Sequence, residues 1–268
     1  MRGPALTRSI GIARDAALSE RPDLRRGMVA AWIPSLSYRG VSFKDETGNR
    51  HDANEMSNVD ISNLVISANP LNKGMAVRYN GSNEQVGIPV DGGAGITMNV
   101  TVGTVCAWVR TDAPGASFRF FFGRTQNWNL GFLDNDFGHY SWGGEGWQSS
   151  GFDGNDGLWH LYAMTFSSGI ASASALYVDG EFAATASTTF TVSTNKPYLG
   201  SRSTQYCACD ISDAWLWNRK LSKHELADIY RDSASMFRVA RPFAGFVPAA
   251  AAGLGIPLAM YHYRHHGA

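Results

Sequence analysis

The sequence predicts an all-β chain with one short C-terminal helix and extended arms at both ends. Three observations carry that prediction. Short runs of alternating apolar and polar residues recur along the chain, and some flank dipeptides that favour tight turns, Asn80-Gly81 and Asp179-Gly180 among them. Glycine accounts for 29 of 268 residues and aromatic residues for 12%, which suits many strands joined by tight turns. One strong helix start, the S-x-x-E capping box Ser222-Lys223-His224-Glu225, comes after the last strand-like run.

Met1 to Arg26 forms an arm rich in arginine, readable as a flexible leader or as an assembly arm. Ile10–Leu18 is long enough for two helical turns, and Pro22 breaks that pattern. Met28–Ile33 reads as the first strand, and Lys44–Asp52 as a polar turn-rich loop. Val77–Asn83 reads as a hairpin about Asn80-Gly81, with Gln85–Ile88 pairing next. Gly103–Arg110 is a strand with Trp108 in the core, because an indole buries a large area. Phe118–Gly123 carries consecutive phenylalanines, which implies burial on both faces or an exposed patch. Asn129–Leu133 and Phe137–Trp142 pair around Asp134-Asn135, and Gly143–Gly157 reads as a polar, glycine-rich loop.

Trp159–Thr165, Ser174–Val178 and Phe182–Ala186 alternate, the last two joined by Asp179-Gly180. Both central residues of a type I′ turn need positive φ, which Asp-Gly supplies. Ala214–Trp217 is a buried strand, and the helix from the capping box runs to about Asp232 with Leu226, Ile229 and Tyr230 on one face. Met236 to Ala268 is a tail. Within it Phe243–Met260 carries no charge, but two prolines and three glycines make a membrane helix costly. An apolar attachment strip is the expected role.

The segments DGLWHLYAMTF, ALYVDGE, YLGS and ISDAWLWNRKLSKHEL, in this order, resemble the laminin-G-like branch of the concanavalin A-like jelly rolls. MVAAWI, KDETGNRHD and GTVCAWVR fit the same pattern, so the resemblance spans about Gly27 to Ser235. It implies a two-sheet antiparallel jelly-roll sandwich over residues 27–235, between an arm at 1–26 and an apolar tail at 236–268. The run Met236-Phe237-Arg238 through Arg241-Pro242 also resembles the ends of laminin-G-like proteins encoded by tailed phages.

Lys+Arg and Asp+Glu both number 23, so the chain lacks the basic surplus that phosphate binding needs, and nucleic acid is not an expected partner. Cys106, Cys207 and Cys209 are too few and too poorly spaced for a structural metal, and read as unpaired thiols in apolar surroundings. The first 26 residues contain no uninterrupted apolar stretch of the secretory type, which points to a protein made and kept in a cytoplasm or released by lysis.

A glucanase on such a fold would carry E-x-D-x-x-E or E-x-D-x-E, which puts nucleophile and acid on one strand face. Neither occurs, and Asp134 and Asp136, two apart, read as loop residues. The resemblance implies a possible calcium ion at Asp45, Asp210 and Asp213, with Ser212 where the family pattern has an aspartate. Trp142, Trp147, Phe152 and Asp153 are candidate ligand-binding residues, because aromatic faces stack on sugars and carboxylates accept their hydroxyl protons. The expected function is a non-enzymatic virion structural or accessory protein. In that reading the arm and tail contact other virion proteins or copies of the chain. The alternative is a carbohydrate-binding module or adhesin at a cell surface or outside the cell, with a glycoside hydrolase third.

Overall fold

The computed structural model describes residues 21–34, 38–39, 42–59, 61–68, 73–89, 100–112, 117–124, 128–141, 145–189, 195–202 and 204–237. The arm up to residue 20, Trp142 and the tail from residue 238 lie outside the described residues. So does Phe243–Met260, and among the described residues no helix is long and apolar enough to cross a membrane.

Two antiparallel sheets face each other. The first contains β1 (Met28–Trp32), β5 (Leu64–Ala68), β6 (Lys73–Asn80), β8 (Val102–Arg110), β13 (Trp159–Ser167), β14 (Ile170–Val178), β15 (Glu181–Thr188) and β19 (Ala208–Trp217). Its order is β15-β14-β13-β8-β19-β6-β5, with β1 also on β19. The second contains β4 (Glu55–Ser57), β7 (Gln85–Gly87), β9 (Arg119–Arg124), β10 (Asn129–Leu133), β11 (Asp136–Ser141), β12 (Gly146–Asp153), β16 (Pro197–Leu199), β17 (Ser201–Arg202) and β18 (Gln205–Tyr206). Its order is β12-β11-β10-β9-β16-β7-β4, and one parallel bridge joins Tyr206 to Phe120. A two-stranded ribbon, β2 (Tyr38–Arg39) and β3 (Ser42–Phe43), completes the strands.

The inner faces meet in a core of alternating apolar residues. Phe121, Phe132, Phe137 and Tyr162 interlock there, with Phe137 and Tyr162 centroids 4.5 Å apart. Phe120, Phe121 and Phe122 are all fully buried, so the phenylalanine run is buried on both faces. Cys207 and Cys209 lie in this core, Cys106 lies outside it, and all three are free thiols. Burial pushes the Cys106 and Cys209 thiols well above their usual range.

The outer face of the first sheet carries a second apolar cluster. Trp108, Trp159, Trp215 and Trp217 meet Leu24, Leu226, Ile229 and Met236 there. Helix α1 (Lys223–Arg231) covers it, opened by the expected capping box in which Ser222 and Glu225 satisfy each other's backbone N–H. Its Leu226 and Ile229 point down, and Tyr230 stacks on Trp108 at 5.5 Å. The short 3-10 turns Pro22–Arg25 and Ser233–Phe237 close the margin, where the Trp217 indole N–H donates to the Leu24 carbonyl at 2.8 Å. Trp108 is thus buried on the outer side of its sheet, not between the sheets.

The Asp179-Gly180 hairpin forms as expected, with φ of 53° and 81°. The other dipeptide does not. β6 and β7 belong to different sheets, so Asn80-Gly81 is a crossover and not a hairpin. Only Gly81 has positive φ, while the Asn80 Oδ1 accepts from the N–H groups of Ser82 and Asn83, an Asx turn that redirects the chain. The expected loop over Gly143–Gly157 is also corrected. Residues 146–153 form the edge strand β12, because Tyr140↔Trp147 and Gly138↔Ser149 pair in register with β11.

Candidate functional site

The β10–β11 hairpin and β12 build a cleft of about 450 Å³ at one edge of the second sheet. The hairpin turns on Asp134 and Asn135, both at positive φ, a geometry these short polar side chains tolerate. Beyond it Asp136 faces Asp153 and Gly138 faces Ser149, so three residues of β12 stand opposite one of β11. Gly151 takes the left-handed conformation within this three-residue bulge, and β12 bends there beside the cleft.

Asp136, Gly138 and Tyr140 share the outer face of β11 by alternation. Trp147 lies across Gly138, where a Cβ would come 2.7 Å from the indole Cζ2. The indole N–H donates to Asp136 Oδ2 at 3.0 Å, and the Gly151 N–H donates to Oδ1 of the same carboxylate at 2.9 Å. Asp136 therefore fixes both the ring and the bulge. Phe118 packs beside Trp147 at 5.8 Å and stacks on Phe120, over which the Arg202 guanidinium sits at 5.4 Å. Burial lowers that guanidinium to about 10.

Asp153 uses Oδ1 to accept from Asn155 N–H at 2.9 Å. Its Oδ2 and both Asp134 oxygens take no protein hydrogen bond among the described residues. Phe152 also lines the cleft, but its ring packs inward against His160 at 4.9 Å and Tyr162 at 6.1 Å. Behind it His160 is held between Asp179 at Nδ1 (2.8 Å) and Asp156 at Nε2 (3.0 Å). Burial opposes the charged imidazole, but the two carboxylates outweigh it and raise the His160 pKa. Burial also opposes the Asp156 carboxylate; the Leu158 N–H and His160 overcome this and lower its pKa.

The structure thus brings Trp147, Phe152 and Asp153 together around one cleft, and Trp142 is outside the described residues. Sequence reasoning missed Asp136 and Ser149 as cleft residues and Gly138 as the seat of the indole. The available signal was the cluster of Asp134 and Asp136 about the Asp134-Asn135 turn; the structure puts Asp134 in the turn and Asp136 at the start of β11.

Of the three residues expected at a calcium ion, Asp45 and Asp210 have their carboxylates engaged by donors of the chain itself. The buried Asp45 carboxylate accepts from the N–H groups of Ala31, Thr47 and His51 and from the Thr47 hydroxyl, all between 2.7 and 3.2 Å. It organises the early loop. Asp210 is taken up by the guanidiniums of Arg78 and Arg110. Asp213 lies buried where β19 changes partner from β6 to β1. A cation at Asp45 or Asp210 would meet donor hydrogens or guanidiniums where it needs free oxygen. Among the described residues no group of three or more His, Cys, Asp or Glu is placed to hold a metal.

No curated protein matches the chain. Solved structures share its fold. A sialidase of Trypanosoma rangeli in complex with sialic acid superposes with a TM-score of 0.55 at 17% identity, covering 76% of this chain and 33% of the sialidase. The binding domain of Paraclostridial Mosquitocidal Protein 1 gives 0.56 at 13% identity, covering 77% of this chain and 52% of that one. Domain 4 of AbnA, an extracellular arabinanase from Geobacillus stearothermophilus in complex with arabinotriose, gives 0.55 at 16% identity, covering 76% of this chain and 98% of the domain. The chain therefore spans a third of the sialidase, half of the mosquitocidal protein's binding domain and nearly all of the arabinanase domain. The family model Laminin_G_3, described as the concanavalin A-like lectin/glucanases superfamily, matches residues 80–227, more than half of the chain, and with the two-sheet sandwich around that segment the chain belongs to this family.

Proposed function

We propose that this chain is a non-catalytic carbohydrate-binding module that grips a glycan in the cleft at Trp147. One observation carries the reading: an indole seated on Gly138 and locked by Asp136 stands beside the unpaired acceptors of Asp134 and Asp153. An aromatic face carries negative charge density and attracts the C–H face of a sugar ring, while carboxylates accept its hydroxyl protons. The cleft volume falls within the range of about 300–1,000 Å³ typical of small-ligand sites. The family and the arabinotriose complex of the arabinanase domain support the same class of ligand. The virion reading rests on the arm and tail, most of which lie outside the described residues, and no observation favours it over glycan binding.

The test is a glycan array probed with the native chain, Trp147→Ala and Asp153→Asn. The native chain should mark one group of related glycans. Trp147→Ala should erase the signal while remaining folded, and Asp153→Asn should weaken it. A blank array, or a signal unchanged in Trp147→Ala, overturns the proposal.

A further inference from the structure

Arg78 in β6, Asp210 in β19, Arg110 in β8 and Trp159 in β13 occupy facing positions on four neighbouring strands. Alternation puts them on the outer face of the first sheet, where Trp159 joins the helix-covered cluster. The buried Asp210 carboxylate is shared by two guanidiniums. Arg78 donates from Nε to Oδ1 at 2.9 Å and from Nη2 to Oδ2 at 3.2 Å. Arg110 donates from Nε to Oδ2 at 3.1 Å and from Nη2 to the same oxygen. The Arg110 guanidinium also lies over the Trp159 ring at 5.4 Å.

One carboxylate needs only one guanidinium for neutrality. Here the second is balanced by Asp112, which lines the same cleft, and the Nη1 groups of both arginines have no protein partner among the described residues. Both arginines line a cleft of about 460 Å³ with Thr111, Asp112, Gly157 and Ala208. Asp210 holds both forks in place before any ligand arrives, so little side-chain freedom remains to be lost on binding. A planar guanidinium edge matches a carboxylate, and Arg78 and Arg110 present theirs from the two strands that flank β19. Of the other walls, Thr111 gives its hydroxyl proton to the Ala208 carbonyl at 2.8 Å, and the exposed Asp112 is able to accept hydroxyl protons.

We propose that this cleft is a second binding site, on the sheet opposite the Trp147 cleft, for the carboxylate of an acidic monosaccharide. The Nη1 groups of Arg78 and Arg110 hold the carboxylate, and Asp112 accepts from the hydroxyls. Asp112 sets the upper limit on affinity, because its charge opposes the ligand's.

Calorimetric titration of the full chain tests this with sodium glucuronate, methyl glucoside and sodium acetate. Glucuronate should saturate one site, the neutral glucoside should give no heat from this cleft, and acetate should bind at least about tenfold more weakly than glucuronate. Arg78→Met should weaken glucuronate about tenfold or more. The Arg78 side chain is 57% exposed and Arg110 still pairs with Asp210, so this variant keeps its fold, as a melting curve would confirm. Asp112→Asn should tighten binding about threefold, by removing an opposing charge at a screened surface. Trp147→Ala should leave glucuronate binding unchanged, so failure here is separable from failure of the first cleft. Absence of glucuronate binding, an unchanged affinity in Arg78→Met, or acetate binding as tightly as glucuronate overturns the proposal.

Discussion

Trp108 and Trp147 are the same residue type on the outer faces of two stacked sheets, and they do opposite work. Trp108 is fully buried, covered by Tyr230 and helix α1, in a cluster with three further tryptophans. Trp147 is half-buried on an edge strand, with a glycine beneath it and a carboxylate at its N–H. The first sheet spends its outer aromatics on stability and needs a helix to shield them. The second has no helix over its outer face among the described residues, and it holds its aromatics in place with glycines and one aspartate. What a tryptophan does on this fold depends on what the chain places over it.

The contrast can be pressed from its largest effect downward. Trp108→Ala should destabilise the domain by about 3–5 kcal/mol, through a cavity that helix α1 cannot collapse into, measured by urea denaturation. Gly180→Val should cost about 3 kcal/mol, because Gly180 is at positive φ and a Cβ there would come 2.7 Å from Ala227 Cα in the helix. Trp147→Ala should cost only about 1 kcal/mol, since its site stays partly solvated. If Trp147→Ala proves as damaging as Trp108→Ala, the two faces are not divided as described.

A smaller effect follows pH. The raised His160 value adds stability that is complete below the ordinary histidine pKa of 6.5 and is lost as pH climbs through the raised value. The lowered Asp156 value adds stability that is complete above the ordinary carboxylate pKa of 3.8 and is lost as pH falls through the lowered value. The pair therefore contributes most between these limits. His160→Asn should flatten the alkaline decline of Tm, and an unaltered slope would remove His160 as its cause. The smallest expected effect is that of a chelator, which should leave Tm unchanged, because Asp45 and Asp210 are saturated by donors from the chain itself.

Much of the first sheet was legible in the sequence: β1, β8, β13, β14, β15 and the end of β19 read as strands, its hairpin uses Asp179-Gly180, and its helix announces itself with Ser222 and Glu225. β5 and residues 208–213 of β19 were not read as strands. Asn80-Gly81 misled because the same dipeptide serves a hairpin or a crossover, and only the pairing of distant strands decides between them. β12 was hidden because Ser149, Ser150 and Gly151 look like loop residues, while its identity as a strand comes from register with β11. Half of the cleft was readable, since Trp147, Phe152 and Asp153 stood out as aromatics among acids. Asp136 and Gly138 were not, because their roles depend on which ring lies across the neighbouring strand. The Arg78–Asp210–Arg110 row was invisible for the same reason, its members lying far apart in the chain.

Strand β19 pairs with β8, with β6 and, past the Ile211–Ala214 irregularity, with β1. Met28 thus faces Trp217, and residues from opposite ends of the described chain share a ladder. During synthesis the first sheet has a vacant central lane until Trp217 has left the ribosome. Until then β1, β6 and β8 expose unpaired edges, the condition in which strands seek partners on other chains. Pairings between such distant segments carry a large loop-closure entropy and fold slowly. The slow step in refolding should be the insertion of β19, and substitutions in its Trp215 and Trp217 should slow folding more than they speed unfolding.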